Sequence, residues 1–316
     1  MTQCPDLDPS APLIFIINAA SGRSDADAKR AVIHQALQAA GRTGELRFAR
    51  PAELDCVARE AAATALATRS AVVAVGGDGT INAVSQAAHA AGCAMGVVPL
   101  GTFNYFARTH GISTEPAQAA QMLMQAVPTP VQVGTVNGHV FLVNASLGLY
   151  PVLLEDRETY KSRFGRSRWV ALGAAVMTLL RGHRQLHLHI DEGGVVRNVR
   201  TPTLFVGNNR LQLEQVGLNL SEHPAQHLDD GRIAAVMLKP MGTLAMVGLM
   251  LRGAMGTLGD ADSVDSFAFS RMVVQPRRRK IKVAFDGEVT RMRTPLEFRV
   301  AEQPLYLLKP AEGRRA

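Results

Sequence analysis

Residues 71–82 read AVVAVGGDGTIN, and this stretch decides the fold of the first part of the chain. Its apolar half, Ala71–Val75, has the length and composition of a buried strand. The three glycines that follow allow a sharp turn and let a ligand approach the backbone closely. A helix is predicted from Thr80, whose hydroxyl can cap the first turn. Because backbone N–H groups at such a helix start bind phosphate, the stretch predicts a phosphate-binding turn.

The segments on either side of this turn alternate between strand and helix. Short apolar runs predict strands, and longer stretches with apolar residues three and four positions apart predict helices. This alternation is typical of a doubly wound α/β domain with a parallel sheet. The predicted strands are Leu13–Asn18, Glu45–Ala49, Ala71–Val75 and Met95–Pro99, and the predicted helices are Ala26–Ala40, Ala52–Thr68 and Thr80–Ala91.

The character of the chain changes after about Thr129, which lies between two prolines. Asn137-Gly138 between alternating apolar residues is a strong hairpin signal. Most of the following segments have the alternation of strands, so a β-rich second domain is expected. Further strands are predicted at Arg184–Ile190, Val195–Arg200, Thr203–Val206, Arg232–Leu238, Phe267–Val274 and Ile281–Phe285, and helices only at about Glu155–Arg181 and Gly242–Leu258.

Composition excludes several classes of protein. The chain is 47% hydrophobic and 19% charged, which supplies a packed core and argues against disorder. Its three cysteines form no CxxC pair and no disulfide framework, which predicts a reducing cytoplasm. The first twelve residues lack a basic signal region. The best candidate span, Met241–Leu251, is shorter than the roughly 20 apolar residues that a membrane helix needs, so no membrane span is expected.

The formal net charge of +7 limits the classes of binding partner that we expect. Basic residues cluster at 277–280, around Lys161–Arg168 and at 314–315. Such a surface can meet nucleic acid, an anionic membrane or a phosphorylated small molecule, or can simply be a solvated face. Aromatic residues are not interleaved with the clusters, which argues against single-stranded nucleic acid. We expect no nucleic-acid partner and leave the other three open.

Two further loops are expected at the same sheet edge as the glycine-rich turn. The loops that follow successive parallel strands meet at one edge, where ligands usually bind. Gly101-Thr102 follows the next predicted strand and should therefore lie beside Gly76–Thr80. The first strand ends in Asn18–Arg23, a small polar loop with one basic residue. Three such loops together predict a nucleotide site.

These motifs resemble the catalytic domain of the diacylglycerol kinase family. The residues that carry the resemblance are GGDGT at 76–80 and PLGTFNYFAR at 99–108. The opening loop, 18–23, is similar to that family's N-P-x-S-G-K loop. The bacterial soluble lipid kinases are closest in size. The resemblance extends to Val206-Gly207-Asn208-Asn209, Leu228-Asp229-Asp230-Gly231 and Asp286-Gly287-Glu288.

The resemblance implies a two-domain organisation. Residues 1–129 would form the ATP-binding α/β domain, of the NAD kinase and diacylglycerol kinase type. Residues 130–296 would form a β-sandwich-like domain for the lipid substrate, and a last segment, about 297–316, would return to the first domain. ATP would bind in the cleft between the domains, with Mg²⁺. The implied partner is a lipid, diacylglycerol by default, at a membrane surface that the enzyme meets peripherally; a homodimer is left open.

The resemblance also implies roles for individual residues. Glu288 would be the general base, with Asp286 facing the same cleft, and a strand would place residues two apart on one face. Taken alone, Asp286-Gly287-Glu288 is more typical of a type I′ hairpin turn than of a catalytic pair. The expected ATP contacts are Asn18, Ser21, Gly22, Arg23, Gly76, Gly77, Asp78, Gly79, Thr80, Ile81, Asn82, Gly101, Thr102 and Asn104.

A structural metal loop is a further implication. Asp230 would ligate the metal together with backbone carbonyls of His227 and Arg232, although a plain Asp-Asp-Gly turn explains the same residues. The chain departs from the family pattern at Tyr105 and Ala83, each of which stands where an acid is usual. These two departures leave open a nucleotide- or lipid-binding protein with impaired turnover. A kinase of the NAD kinase or phosphofructokinase type also stays open, because those groups use a GGDG-type loop as well.

Overall fold

The computed structural model describes residues 4–19, 26–164, 185–192, 194–208, 231–242, 245, 248 and 264–310. The chain divides into two compact units, Met1–Val133 with Ala301–Ala316, and Gly134–Val300. The unit boundaries at 133 and 300 each lie four residues beyond the predicted 129 and 296. They lie there because one strand of the second unit begins at Gly134 and another ends at Val300.

A six-stranded sheet forms the centre of the first unit, in the order β2-β1-β3-β4-β18-β5. All neighbouring strands are parallel except β5, which runs antiparallel to β18. The apolar strands β1, β3 and β4 are buried almost throughout, as central strands of a covered parallel sheet should be. Its strands are β1 Leu13–Asn18, β2 Gly44–Ala49, β3 Ala71–Gly76, β4 Ala94–Pro99, β5 Ala126–Val131 and β18 Leu305–Pro310.

Helices cover both faces of this sheet. The connections from β1 to β2 and from β2 to β3 run in opposite directions along the sheet, so right-handed crossovers place their helices on opposite faces. Accordingly α1 packs on α5, and α2 packs on α3. The predicted doubly wound α/β architecture is confirmed. The helices are α1 Ala26–Ala40, α2 Leu54–Ala67, α3 Asp78–Ala91, α4 Tyr105–Thr109 and α5 Pro116–Met124, and a 3₁₀ turn, Pro51–Glu53, precedes α2.

Two antiparallel sheets of six strands form the second unit. One has the order β10-β9-β14-β17-β6-β7 and the other β13-β12-β11-β8-β15-β16. The strands are β6 Gly134–Val136, β7 His139–Phe141, β8 Asn144–Gly148, β9 Leu186–Glu192, β10 Val195–Thr201, β11 Thr203–Gly207, β12 Ile233–Leu238, β13 Val264–Phe269, β14 Arg271–Pro276, β15 Lys280–Phe285, β16 Glu288–Arg293 and β17 Leu296–Val300. One helix, α6 Leu149–Phe164, follows β8.

The two sheets share a single hydrophobic core. Phe141 and Phe298 from the first sheet and Leu204 and Val283 from the second are each fully buried in it. Two sheets that bury their facing apolar residues against each other make a sandwich, so the predicted β-sandwich-like second unit is confirmed.

One predicted strand is wrong. Phe267–Val274 was expected as a single strand, but the chain changes sheets at Ser270, between β13 and β14. The physical reason is visible in the burial, since Phe269 and Met272 are both buried although they are three positions apart. Successive side chains of a single strand point to opposite faces, so residues three apart would lie on opposite faces; the apolar pattern therefore changes phase here.

Among the described helices, none is long and apolar enough to cross a membrane. Most of the predicted helix Gly242–Leu258, and of the apolar stretch Met241–Leu251, lies outside the described residues.

Candidate functional site

The glycine-rich turn joins β3 to α3. Gly77 has an extended backbone, and the helix begins at Asp78, two residues before the predicted start. A side chain at Gly76 would bring its Cβ within 2.5 Å of the Thr80 hydroxyl, so only glycine fits there. The first-turn N–H groups and the positive end of the helix dipole belong to Asp78, Gly79 and Thr80, and together they are suited to phosphate oxygens.

Thr80 does not cap the helix, which corrects one expectation. The residue at the cap position is Gly77, and no side chain makes a capping hydrogen bond. Instead, the Thr80 hydroxyl accepts a hydrogen bond of 3.1 Å from the side-chain amide of Asn18, at the end of β1. Thr80 therefore ties the first strand to the start of α3. Ser21, Gly22 and Arg23 of the same loop lie outside the described residues.

The loop after β4 packs directly on the glycine-rich turn, as the sheet order predicts. Leu100 donates a backbone hydrogen bond of 2.7 Å to the carbonyl of Gly76. A Cβ on Gly101 would lie 3.1 Å from Cα of Gly77, so the two backbones touch. The structure thus brings Gly101 beside Gly77 at the carboxyl edge of the sheet.

Asn104 links the two loops through its backbone and side chain. Its backbone N–H donates to Oδ2 of Asp78 at 3.3 Å, and its amide nitrogen donates to the carbonyl of Gly101 at 3.0 Å. Asn104 adopts a left-handed conformation, with φ of 49°, which asparagine tolerates better than most residues. Asn104, which the resemblance places among the expected ATP contacts, is therefore also a structural link between the two loops.

Two buried oxygens at this link are left without a donor. Oδ1 of Asp78 and Oδ1 of Asn104 are buried, and neither has a hydrogen-bond partner among the described residues. Burial raises the pKa of the Asp78 carboxyl, although backbone N–H groups of Asn104 and Tyr105 oppose the shift. Carboxylate and amide oxygens are hard donors, so this pair fits Mg²⁺.

The number of donors also suits that ion. No cluster of three or more His, Cys, Asp or Glu side chains that could hold a metal occurs in the described part of the chain. Mg²⁺ usually takes only one or two protein oxygens and completes its shell with phosphate oxygens and water. The two oxygens therefore suit Mg²⁺ as protein ligands. Beside them, the rings of Phe103 and Tyr105 stack with centroids 5.4 Å apart, and Tyr105 occupies the position where the resembled family has an acid.

In the second unit, Asp286 and Glu288 do not share one strand face. Asp286 and Gly287 form the turn between β15 and β16, with φ of 47° and 90°, which is the type I′ geometry. Glu288 is exposed and opens β16. The expectation of two carboxylates side by side on a strand is corrected, because the turn separates them.

The Asp286 carboxylate binds the backbone instead. Oδ2 accepts a hydrogen bond from the N–H of Leu142 at 2.7 Å, and Oδ1 accepts from Val143 at 2.9 Å and Asn144 at 3.1 Å. In addition, the side chain of Asn208 donates to the carbonyl of Leu142. Sequence reasoning missed this contact because its donors are backbone groups, which no side-chain pattern reveals. Asp286 therefore fixes the turn that carries Glu288.

The predicted metal loop lies mostly outside the described residues, including His227 and Asp230. Arg232 is described, just before β12, and its guanidinium donates to the carbonyl of Ala268. This contact joins β12 to β13. The metal assignment itself stays a prediction.

Comparison with known proteins shows what this chain is similar to. Residues 12–136 match the model of the diacylglycerol kinase catalytic domain. This match agrees with the resemblance that the sequence motifs carry.

Curated relatives extend beyond that domain. A probable lipid kinase YegS-like of Pseudomonas aeruginosa is 31% identical over 207 residues, which cover 63% of this chain and 64% of that relative. The match thus spans slightly less than two thirds of that protein. Diacylglycerol kinase of Bacillus subtilis is 28% identical over 254 residues, covering 76% of this chain and 78% of that protein.

A crystal structure of a diacylglycerol kinase from Bacillus anthracis has a TM-score of 0.67 with this chain at 19% identity, and the match covers 95% of this chain and 97% of the other. At that identity the likeness concerns the fold, which both units of this chain therefore share with a solved protein.

Proposed function

We propose that this protein is an ATP-dependent lipid kinase, which transfers the γ-phosphoryl group of ATP to a lipid hydroxyl. The observation that carries the proposal is the junction of the two loops at Asp78 and Asn104. It combines a helix start suited to phosphate with two buried oxygens suited to Mg²⁺. The match of residues 12–136 to the diacylglycerol kinase catalytic domain model supports the same function.

Residues of the first unit would hold the nucleotide. Gly76–Thr80 offer backbone N–H groups to phosphate oxygens, and Gly101 leaves room because a side chain there would meet Asn104 and Gly77. Asn18 orients the Thr80 hydroxyl from the neighbouring strand. Oδ1 of Asp78 and Oδ1 of Asn104 would hold Mg²⁺. When bound, Mg·ATP supplies the phosphoryl group and neutralises its developing charge.

Glu288 is assigned as the general base. An exposed carboxylate can take the proton of a lipid hydroxyl, which is a poor nucleophile until it is deprotonated. Asp286 is assigned a positioning role, since its carboxylate already accepts three backbone hydrogen bonds. These assignments leave one acid for proton transfer and one for holding the turn.

The acceptor is proposed to be diacylglycerol or a related lipid alcohol. The relatives whose names support this class are the YegS-like lipid kinase and the diacylglycerol kinase described above. A lipid acceptor would be met at a bilayer surface, so we propose that the enzyme works in the cytoplasm and associates peripherally with the membrane.

The proposal is tested with purified protein, Mg·ATP and a total lipid extract, followed by mass spectrometry of the products. We expect new phosphate monoesters of lipids with wild-type protein and none with Glu288→Gln. Asp78→Asn should weaken binding of a non-hydrolysable ATP analogue in the presence of Mg²⁺ but not in its absence. Formation of NADP from NAD, or no phosphorylated lipid at all, would overturn the proposal.

A further inference from the structure

A groove of about 770 Å³ lies within the second unit, and Asp286 is not among its described lining residues. It is bordered by the start of α6, the first residues of β9 and the turn between β14 and β15. Four of its lining residues are large and apolar, and we call them its floor: Leu149, Val152, Leu186 and Ile281. Val152 remains 37% exposed, so part of this apolar floor faces solvent. A volume of this size is typical of a ligand site.

The lining of the groove is also strongly cationic. Five basic side chains line it, and we call them its rim: Arg277, Arg278, Lys280, Lys282 and Arg291. Lys282 pairs with Glu155. Within the described ranges, no carboxylate forms an ion pair with the other four. We call this apolar floor with its cationic rim the basic groove.

The rim is held in place by its backbone. The N–H of Thr294 donates to the carbonyl of Arg279 at 3.1 Å, and the Thr294 hydroxyl donates to the carbonyl of Arg278 at 2.9 Å. These bonds tie the turn between β14 and β15 to the end of β16. Arg277 and Arg278 therefore extend from a turn whose backbone is held, which reduces the backbone entropy lost when they bind an anion.

This combination of charges and apolar surface selects one kind of ligand. Single-stranded nucleic acid is commonly bound through aromatic side chains on which its bases stack, and the described lining residues include no Phe, Tyr or Trp. A free phosphate would use the rim but leave the apolar floor exposed. An anionic phospholipid presents a phosphate beside acyl chains, and so matches both parts.

We propose that the basic groove binds anionic phospholipid in a bilayer and thereby docks the second unit on the membrane. The inference rests on the proposed function, because a lipid acceptor is reached at such a surface. The groove uses none of the residues assigned to nucleotide binding or proton transfer. It supplies attraction through its rim and partial insertion of lipid chains at its floor.

The test measures co-sedimentation of full-length protein with vesicles of phosphatidylcholine, with and without phosphatidylglycerol, in the absence of ATP. The variant Arg277→Gln/Arg278→Gln removes two charges from the rim. The control Arg30→Gln/Arg59→Gln removes two exposed charges from helices of the first unit, so both proteins fall from +7 to +5. Each cation near an anionic surface contributes about a factor of five, so the rim variant should bind roughly 30-fold more weakly than wild type.

Three results support the inference together: binding that needs phosphatidylglycerol, a loss confined to the rim variant, and no displacement by excess glycerol phosphate at matched ionic strength. Equal losses in both variants would indicate unspecific charge and overturn it. Displacement by glycerol phosphate would identify a site for a free anion and would also overturn it.

A parallel assay separates this inference from the kinase proposal. Phosphorylation of diacylglycerol dispersed in a neutral detergent requires no anionic bilayer, so the rim variant should match wild type there. Turnover in detergent without any vesicle binding would refute the basic groove and leave the kinase intact. If vesicle binding is lost only in the rim variant and no protein phosphorylates diacylglycerol, the basic groove is supported and the kinase proposal is refuted.

Discussion

The backbone N–H of Asn104 donates a hydrogen bond to the carboxylate of Asp78 across two loops that are 26 positions apart in the chain. This bond joins the turn after β3 to the loop after β4, where Gly101 and Gly77 touch. It also holds the remaining oxygens of both side chains close to the helix start. The proposed nucleotide site therefore depends on close backbone packing as much as on its polar groups.

Gly101→Ala is expected to weaken nucleotide binding. Its Cβ would lie 2.7 Å from Oδ1 of Asn104 and 3.1 Å from Cα of Gly77, so backbone would have to move. Overpacking of this kind costs about 1–3 kcal/mol, or about one order of magnitude in affinity if the loops bear the shift. Calorimetric titration with an ATP analogue measures the affinity of the variant and of the wild type. Gly242→Ala is the control, because nothing lies within 4 Å of its added Cβ; equal affinities for both variants would contradict the packing argument.

Asp286→Ala is expected to destabilise the second unit by about 3 kcal/mol. Three backbone N–H groups would lose a charged acceptor, and each unmet donor costs about 1–3 kcal/mol where water does not replace it. Asp286→Asn should lose less, since an amide keeps one acceptor oxygen and asparagine tolerates positive φ.

The matched substitution is Glu288→Gln, which alters an exposed residue and should change the unfolding free energy by no more than about 0.5 kcal/mol. Urea unfolding followed by circular dichroism compares the three variants. A Glu288→Gln protein as unstable as Asp286→Ala would contradict the division between a positioning acid and a reactive one.

Stability of the first unit should fall in acid because of His110. Burial, helped by the positive charge of Lys309, lowers the pKa of this imidazole from 6.5 to about 4. The unfolded chain therefore takes up a proton as the pH falls from 6.5 to 4 while the folded chain does not. The stabilisation is complete above pH 6.5 and declines by up to about 3 kcal/mol over that window.

His110→Gln removes this titration. The difference in unfolding free energy between wild type and variant should change with pH between 6.5 and 4 and be constant above that range. A difference that stays constant throughout would show that the imidazole is solvated in the folded protein. The edge contact between His110 and Phe106, at 4.6 Å between centroids, is the packing that excludes water.

Much of the first unit could be predicted from the sequence, because its strands and helices have strong local patterns. The bounds of β1 and α1 agree with those predicted, and the glycine-rich turn lies where the apolar run ends. The return of β18 to lie between β4 and β5 is a pairing across most of the chain. The resemblance implied only that the last segment returns to the first unit; the place of β18 between β4 and β5 was not predicted, since no local pattern encodes it.

The second unit was predicted less completely. The sheet change at Ser270 appears only as a phase shift of one residue in an apolar run, which is easily read as one strand. The role of Asp286 depended on backbone donors from Leu142 to Asn144 that lie more than 140 positions away. The tight turn at Asp286 was nevertheless predicted by the Asp-Gly pair.

The most direct test follows a labelled phosphoryl group. Wild-type protein is incubated with Mg²⁺, ATP carrying ¹⁸O in its γ-phosphoryl group, diacylglycerol in neutral detergent and NAD, and all products are identified by mass spectrometry. The account predicts label in a lipid phosphate monoester, none in NADP, and no labelled lipid with Glu288→Gln. Label in NADP, or equal lipid labelling by wild type and Glu288→Gln, would contradict it.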